Sequence, residues 1–495
     1  MKNMEQANKG GNDRQRATIW FWSVVGLYAV TWILVPSLLH TAYRGDVIEI
    51  QSAAPEWVWS TTKHPMLPAW ILETLNILTC RSFAAPFIAT QLCTVLTLWS
   101  VWRLSRTVLD ERLALIAAFS TLLYAFFAIK PVWYNQNNVL IALWSLSVYL
   151  VFQALQTNYK RYWISSGIAL GLAFHAKYSA VFLVISILAY MFVRKECRKC
   201  FQTPGPYITT IIAFAVFLPH IVWLFYHHFV TLTYIAERPD MSPWLAPFYF
   251  AGGQLLYLLL IMAIVIPVIG VVWRVRHHEQ DKAMECEKFL FYCFMVPFVC
   301  HLLISIGMGV VLQMEYGAPF WCFSGLWLIL RFRQIQETLQ CFRQAVTLTI
   351  AILFFIAVGF VSQFWLGQQH PNLYQPTREL GITCEQIWHA RFPGINCPYI
   401  VASDDRLSGH AAYAMTVRPS VIIPQATWAN DDDLNQKGGL LVWEKNVVGD
   451  DMPEYLRYRF PKAEILPESS ELSYKVGSKV QMQRLGFAIV ARPGD

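Results

Sequence analysis

The chain has 495 residues, of which 56% are hydrophobic and only 14% are charged. One soluble core could not bury so much apolar surface, so this composition excludes a single water-soluble domain. The net charge of +7 does not indicate nucleic-acid binding, because Lys and Arg lie in short clusters between long apolar blocks, as they do in membrane proteins.

The apolar blocks predict membrane-spanning helices, since several of them approach the ~20 residues that a helix needs to cross hydrocarbon. The clearest blocks are residues 19–40, 255–273 and 346–366. The first block is interpreted as a span and not as a cleaved signal, because no small-x-small cleavage site follows it. We therefore expect a polytopic α-helical membrane protein with roughly eleven transmembrane helices.

The basic clusters set the orientation of these spans. The tail 1–18 carries Lys2, Lys9, Arg14 and Arg16, so the positive-inside rule predicts that it is cytoplasmic. The spans within residues 19–366 then alternate, and every later basic cluster falls on the inner side. This alternation places the first long loop, 43–83, and the C-terminal part, 367–495, on the outer side of the membrane.

The C-terminal part is predicted to be a small α/β domain, because its composition changes to Asp, Asn, Pro and short alternating apolar runs. Cys384 and Cys397 are the only cysteines of this domain, and an oxidising compartment could join them in a disulfide. The predicted strands are Tyr399–Ser403, Ser420–Ile423, Gly439–Trp443 and Phe487–Ala491.

The first outer loop contains two pairs of residues suited to chemistry. Asp46 and Glu49 lie at i and i+3, on one face if this segment is helical. The spacing is typical of a catalytic pair in which Asp46 is the general base for an attacking hydroxyl and Glu49 orients or tunes it. The alternative is an ordinary solvated loop. Lys63 and His64, held by Pro65 at the mouth of the second span, suit a phosphate group or are simply a surface pair near headgroups.

Further candidates lie at other outer turns. Lys177 interrupts two short apolar segments, and an ionisable group at such depth is functional or snorkels to the interface. Asn135 and Asn137 offer amides suited to sugar hydroxyls, or form a polar turn, and His220 is a substrate ligand or a structural group. Three residues of outer turns either contact a substrate at the rim or have no role: Glu237, Arg238 and Glu315.

Seven motifs, in order, resemble those of bacterial glycosyltransferases of family 39. This is the dolichyl-phosphate-mannose protein mannosyltransferase-like group of the GT-C class, related to lipid A aminoarabinose transferases. Two positions depart from the family pattern: Met66 replaces a second proline, which is predicted to loosen the loop, and Tyr134 replaces the usual Phe. The motifs are Asp46…Glu49, Lys63-His64-Pro65, Tyr134-Asn135-Gln136-Asn137, Ala176-Lys177-Tyr178-Ser179-Ala180, Pro219-His220-Ile221-Val222-Trp223, Tyr234-Ile235-Ala236-Glu237-Arg238 and Tyr316-Gly317-Ala318-Pro319-Phe320-Trp321.

The resemblance implies a transferase that takes a sugar from a polyprenyl-phosphate donor, undecaprenyl-linked, on the periplasmic side of a bacterial inner membrane. It implies that Asp46 is the general base of an inverting transfer and that Lys63 and Lys177 stabilise the departing lipid phosphate. Tyr178 joins the substrate-binding residues on the same ground. The acceptor would be a glycan, a lipid or a protein. No cofactor is implied with certainty, but relatives differ in their use of a divalent cation, so Asp46 and Glu49 as metal ligands remain an alternative.

Two rival functions stay open at this point. A transporter or flippase of a lipid-linked sugar would also need many spans and buried cations, although the outer acidic loop, the outer domain and the lack of pseudo-symmetry disfavour it. An inactive scaffold subunit is the other rival. The position of the outer domain suggests that it chooses the acceptor, so truncation after Leu366 is predicted to alter acceptor use more than donor binding.

Overall fold

The computed structural model describes residues 2–124, 126–127, 131–236, 245–269, 280–309, 312–331, 373–445, 451–476 and 479–493. Three predictions made from the sequence lie outside these residues. They are the last span, near 345–366, and the two candidate site residues Glu237 and Arg238.

Helices dominate the part of the chain that the structure describes. Some of them begin at a side-chain cap: Asp110 and Asp404, for example, each accept hydrogen bonds from backbone N–H groups in the first turn of the helix that follows. The helices are α1 Lys2–Leu39, α2 Gly45–Ala53, α3 Leu67–Leu78, α4 Ala85–Ser105, α5 Glu111–Ser120, α6 Gln136–Thr157, α7 Lys160–Ala176, α8 Val181–Val193, α9 Lys195–Arg198, α10 Gly205–Tyr226, α11 Val230–Ala236, α12 Ala246–Ile269, α13 Gln280–Met308, α14 Ala318–Trp321, α15 Ser324–Arg331, α16 Thr377–Arg391, α17 Asp405–Ala414, α18 Asp431–Lys437 and α19 Glu454–Arg459.

Five helices among the described residues are long and apolar enough to cross a membrane. They are α4, α6 and α10 together with the segments Asn12–Leu39 of α1 and Asp281–Gly307 of α13. Shorter apolar helices lie at Leu67–Leu78 and Tyr178–Val193. The prediction of a multi-pass helical membrane protein is therefore confirmed, whereas the number of about eleven spans stays a prediction.

The C-terminal part folds around one five-stranded sheet with the order β2-β1-β3-β5-β4. Strand β1 pairs in parallel with both β2 and β3, and β5 pairs antiparallel with both β3 and β4. Helix α17 connects β1 to β2, and α18 connects β2 to β3. All four predicted strands are present, with these bounds: β1 Tyr399–Ala402, β2 Ser420–Val421, β3 Gly439–Glu444 and β5 Lys479–Val490.

The fifth strand, β4 at Glu464–Val476, was not predicted from the sequence. It lies at the edge of the sheet, and most of its residues are exposed or half-buried, so it lacks the apolar run of a buried strand. It also contains Pro467, and its pairing with β5 shifts register between Ile465 and Ser469. Proline and irregular pairing are typical of edge strands.

The predicted disulfide between Cys384 and Cys397 is not formed. Both residues are buried free thiols in one apolar core, which they share with Leu440 and Phe487. Burial raises the pKa of Cys397 to about 12, so this thiol stays protonated at neutral pH. The two cysteines act here as small apolar side chains.

By its internal contacts the chain divides into two units. The first unit comprises residues 1–32, 90–132 and 136–357, and therefore most of the apolar helices. The second unit comprises residues 33–89, 133–135 and 358–495. The first outer loop, with α2 and α3, thus packs within the same unit as the C-terminal domain.

Candidate active site

Helix α2 carries both acidic residues of the first outer loop. It begins at Gly45, directly after Arg44, whose backbone is extended, and it ends at Ala53. Asp46 lies in the first turn, where the helix dipole favours a carboxylate. Because the segment is helical, Glu49 lies on the same face as Asp46.

Five residues of the second unit form a charged group that we name the Asp46 cluster: Asp46, Glu49, Lys63, Asn135 and Asp405. The Asn135 amide nitrogen donates to Asp46 Oδ2 at 3.2 Å, and Lys63 Nζ donates to Glu49 Oε2 at 3.0 Å. Asp46 is exposed, whereas the side chains of Lys63 and Glu49 are only 16% and 23% exposed. A solvent-accessible carboxylate therefore lies on the same helix face as a largely buried ion pair.

The carboxylates of this cluster influence one another. Burial raises the pKa of Glu49, Lys63 opposes the rise, and the negative charges of Asp46 and Asp405 add to it. Burial likewise raises the pKa of Asp405, with Lys63 again opposing. Lys63 is thus the cation shared by Glu49 and Asp405. Since Lys63 already supplies a positive charge to Glu49, the geometry does not favour the alternative in which Asp46 and Glu49 share a metal ion.

The turn that carries Lys63 and His64 is closed by its own backbone. The carbonyl of His64 accepts from the Ser60 hydroxyl at 2.9 Å and from the Thr61 N–H at 3.1 Å. The N–H of Met66 donates to the Trp59 carbonyl at 3.2 Å, and the Met66 side chain is 1% exposed. The predicted loosening at Met66 is therefore wrong, because the N–H that a proline lacks is used to close the turn.

The second departure from the family pattern also has a structural role. Tyr134 is fully buried, and its hydroxyl donates to the Pro68 carbonyl at 2.8 Å. Pro68 lies in the first turn of α3, so this bond ties the start of α3 to the residue before Asn135. The Tyr134 hydrogen bond thereby fixes the backbone next to Asn135, whose side-chain amide holds Asp46.

Five residues of the first unit form a separate group, the Lys177 cluster: Asn137, Lys177, Tyr178, His220 and Tyr316. Lys177 Nζ donates to Asn137 Oδ1 at 2.9 Å and lies 3.8 Å from the centroid of the Tyr316 ring, a cation–π contact. Lys177 sits where α7 ends, with extended backbone, and a 3₁₀ turn and α8 follow. The predicted break between two short apolar segments thus becomes the position of an oriented ammonium group.

Tyr178 and His220 contact each other in the same cluster. The Tyr178 hydroxyl lies 2.7 Å from His220 Nε2 and 2.9 Å from the hydroxyl of Thr231. His220 and Thr231 are both fully buried. His220 therefore orients Tyr178. This position favours the interpretation of His220 as a structural group over that of a substrate ligand.

Glu315 lies in the 3₁₀ turn Met314–Gly317 beside Tyr316 and is half-buried. This turn is held by Gln254, whose amide nitrogen donates to the Met314 carbonyl at 2.8 Å. Gln254 also accepts from the indole nitrogen of Trp321 at 3.0 Å. The structure thus places Glu315 next to the ring that contacts Lys177.

Sequence reasoning missed several residues of these two groups. Asp405 gave no signal because Lys63 lies far from it along the chain. A lone polar residue in an apolar helix, such as Gln254, was a detectable signal, since an amide there needs a partner. Among the described residues, no group of three or more His, Cys, Asp or Glu side chains is arranged to hold a metal ion.

Among three solved structures that match the chain, one has a TM-score above 0.5. The crystal structure of ArnT from Cupriavidus metallidurans bound to undecaprenyl phosphate matches with a TM-score of 0.58 at 10% identity, over 96% of this chain and 98% of that chain. The Archaeoglobus fulgidus oligosaccharyltransferase in complex with Zn and sulfate matches with a TM-score of 0.44 at 13% identity, over 93% and 72% of the two chains. The arabinofuranosyltransferase AftD from Mycobacteria matches with a TM-score of 0.46 at 13% identity, over 96% of this chain and 40% of that chain.

The fold is similar to that of ArnT. Residues 63–223 match the family model described as dolichyl-phosphate-mannose-protein mannosyltransferase, so the resemblance expected from the motifs is confirmed over that stretch of the chain. The matched stretch begins at Lys63 and includes Lys177 and His220. No curated protein sequence matches the chain.

Proposed function

We propose that the chain is an inverting glycosyltransferase that moves a sugar from a polyprenyl-phosphate donor to an acceptor hydroxyl on the periplasmic side of a bacterial inner membrane. One observation carries the proposal: the exposed carboxylate of Asp46, held by Asn135, lies one helical turn from the Glu49–Lys63 ion pair. A base and a cation are the two groups that such a transfer needs. The fold match to ArnT bound to undecaprenyl phosphate supports the donor class.

The chemistry follows from the charges. A hydroxyl is a weak nucleophile, so Asp46 takes its proton as the oxygen attacks the anomeric carbon. The new C–O bond forms as the bond from that carbon to the lipid phosphate oxygen breaks, and the electron pair leaves on the phosphate. A single displacement from the opposite face inverts the anomeric configuration. No covalent intermediate on the enzyme is required.

The ammonium groups account for the departing phosphate. Its negative charge grows as the bond breaks, so a fixed cation stabilises the transition state more than it stabilises the bound donor. Lys63, oriented by Glu49, and Lys177, oriented by Asn137 and the Tyr316 ring, are assigned this role.

The proposal is tested with purified full-length protein in detergent and a panel of polyprenyl-phosphate sugars. Asp46→Asn is expected to lower turnover by about a hundredfold or more while donor binding persists, because the base is lost and the cations remain. Glu471→Gln, in an exposed ion pair of the β4–β5 hairpin, serves as the matched control and is expected to turn over normally. Donor binding without turnover by the wild type would overturn the transferase and favour a lipid-linked sugar transporter or an inactive scaffold.

A further inference from the structure

Helix α17 of the C-terminal domain packs closely on α2, the helix that carries Asp46 and Glu49. The contact is made at Gly409, which is buried. A Cβ atom placed there would lie 2.6 Å from Ile48 Cγ1 and 2.8 Å from Ser52 Oγ, well inside van der Waals contact. Both Ile48 and Ser52 belong to α2 and are buried. The two helices can therefore approach this closely only because residue 409 has no side chain.

The turn that carries Lys63 rests on the same domain. The N–H of Thr62 donates to the carbonyl of Gln425 at 3.2 Å, and the Thr427 hydroxyl donates to the carbonyl of Ser60. Gln425 and Thr427 follow strand β2, at the carboxyl edge of the parallel strands. In open α/β sheets this edge is the usual place for a ligand. Here it is occupied by a turn of the same chain.

The first residue of α17 adds an electrostatic link. Asp405 lies next to the helix cap Asp404. Burial raises the pKa of the Asp405 carboxyl group, and Lys63 and the Gln425 side chain oppose the rise. The other charged groups that interact with Asp405 are Asp404, Arg459 and Glu49. The domain therefore contacts the elements that carry the Asp46 cluster at two places, α2 through Gly409 and the turn of Lys63 through the segment after β2, and it supplies Asp405 to the cluster itself.

We propose that the C-terminal domain is a positioning element for the Asp46 cluster, with Gly409 setting the distance between α17 and α2 and hence the place of Asp46 and Glu49. The inference rests on the proposed function for its effect on turnover. It differs from the role expected from the sequence, in which this domain chooses the acceptor. A domain that holds the base affects transfer to every acceptor alike.

The test compares two buried glycines, Gly409 within α17 and Gly381 on α16, where α16 packs against α17. In Gly409→Ala the new methyl group meets α2, whereas in Gly381→Ala it meets the backbone of Ala414, 2.6 Å from its carbonyl carbon, between α16 and α17. Both variants disturb the domain, but only the first disturbs the contact with α2. Gly381→Ala is therefore the matched control for a loss of stability without a shift of α2.

Two readouts are taken on the full-length protein in detergent: hydrogen exchange of the amides of residues 45–53 and turnover at saturating donor. Gly409→Ala is expected to speed exchange in α2 and to lower turnover about tenfold or more, since small displacements of a catalytic group are costly. Gly381→Ala is expected to lower the apparent Tm with neither effect. Adding Ile48→Ala to Gly409→Ala removes the clash with Ile48, the nearest one, and leaves that with Ser52 Oγ, so the double variant is expected to recover a large part of the turnover of Ile48→Ala alone.

Exchange in α2 that is unchanged by Gly409→Ala, or a double variant that recovers nothing, would overturn the inference. Faster exchange in α2 of Gly381→Ala, equal to that of Gly409→Ala, would also overturn it. If Gly409→Ala alone gives no folded protein, recovery of folded protein in the double variant is the supporting result and its failure the opposing one. If the wild type transfers no sugar from any donor, the proposed function fails, while the exchange data still decide the positioning role.

Discussion

Glu49 meets charges from three segments of the chain. Lys63 comes from the turn before α3, Asp46 from the same helix, and Asp405 from the C-terminal domain. Burial is the largest cause of the raised pKa of Glu49; Lys63 opposes the rise, and the two negative neighbours add to it.

The raised pKa of Glu49 predicts how stability changes with pH. Between the ordinary glutamate pKa and the raised value, the folded state keeps a proton that the unfolded state has lost, so stability falls as pH rises through that window. Glu49→Gln removes this contribution. The apparent Tm of the variant minus that of the wild type should therefore increase as pH rises, as measured by thermal unfolding in a pH series.

The control for this comparison is Glu471→Gln, because Glu471 is 50% exposed in a surface pair with Arg484. Its Tm difference from the wild type should stay constant across the same pH series. A difference for Glu49→Gln that is equally flat would show that Glu49 does not titrate within the window, against the burial and the charges described for it.

At the scale of elements, the sequence predicts those parts whose signal is local. Strands β1 and β3 were predicted because each is a short apolar run buried on both faces, and the carboxylates of α2 were singled out by their spacing. Strand β4 was missed because edge strands need no apolar run. Asp405 was missed because its role depends on Lys63, which only folding brings near. Pairing between distant segments is the part that one sequence does not reveal.

Met66, in the turn before α3, departs from the family pattern, and its hydrogen bond predicts the effect of restoring the proline. Met66→Pro would introduce the second proline of the family pattern that the motifs resemble, yet it should lower both the apparent Tm and turnover. Proline removes the N–H that bonds to Trp59, and it requires φ near −65°, whereas Met66 has φ of −107°. Thermal unfolding and transfer assays on the purified variant measure both effects.

Met66→Leu is the matched control, since it keeps the N–H and nearly the same volume in a site that is 1% exposed. It should cost less than about 1.5 kcal/mol. A proline variant as stable and active as the leucine variant would mean that the Met66 hydrogen bond does not hold the turn.

At the scale of the whole molecule, the second unit joins the first outer loop to a domain that begins hundreds of residues later in the chain. Besides the contact at Gly409, Arg418 of the C-terminal domain donates through both terminal nitrogens to Glu73 Oε2 on α3, at 3.0 and 2.9 Å. Asn76 donates to the same oxygen at 3.0 Å. The side chains of Arg418 and Glu73 are only 8% and 11% exposed, so this pair is screened from water. It fixes α3 to the domain as Gly409 fixes α2.

Breaking this pair should loosen the junction strongly. Arg418→Met leaves Glu73 buried without its cation, which typically costs about 3 kcal/mol or more, so the apparent Tm should fall by several degrees. Arg484→Met, which breaks a pair exposed by more than half, should cost only about 0–1 kcal/mol. Combining Arg418→Met with Glu73→Leu should recover most of the loss, because a buried pair of apolar groups leaves no charge unpaired. If Arg418→Met proved as mild as Arg484→Met, the pair would not hold the domain on the loop, and the contacts at Gly409 and after β2 would have to do so alone.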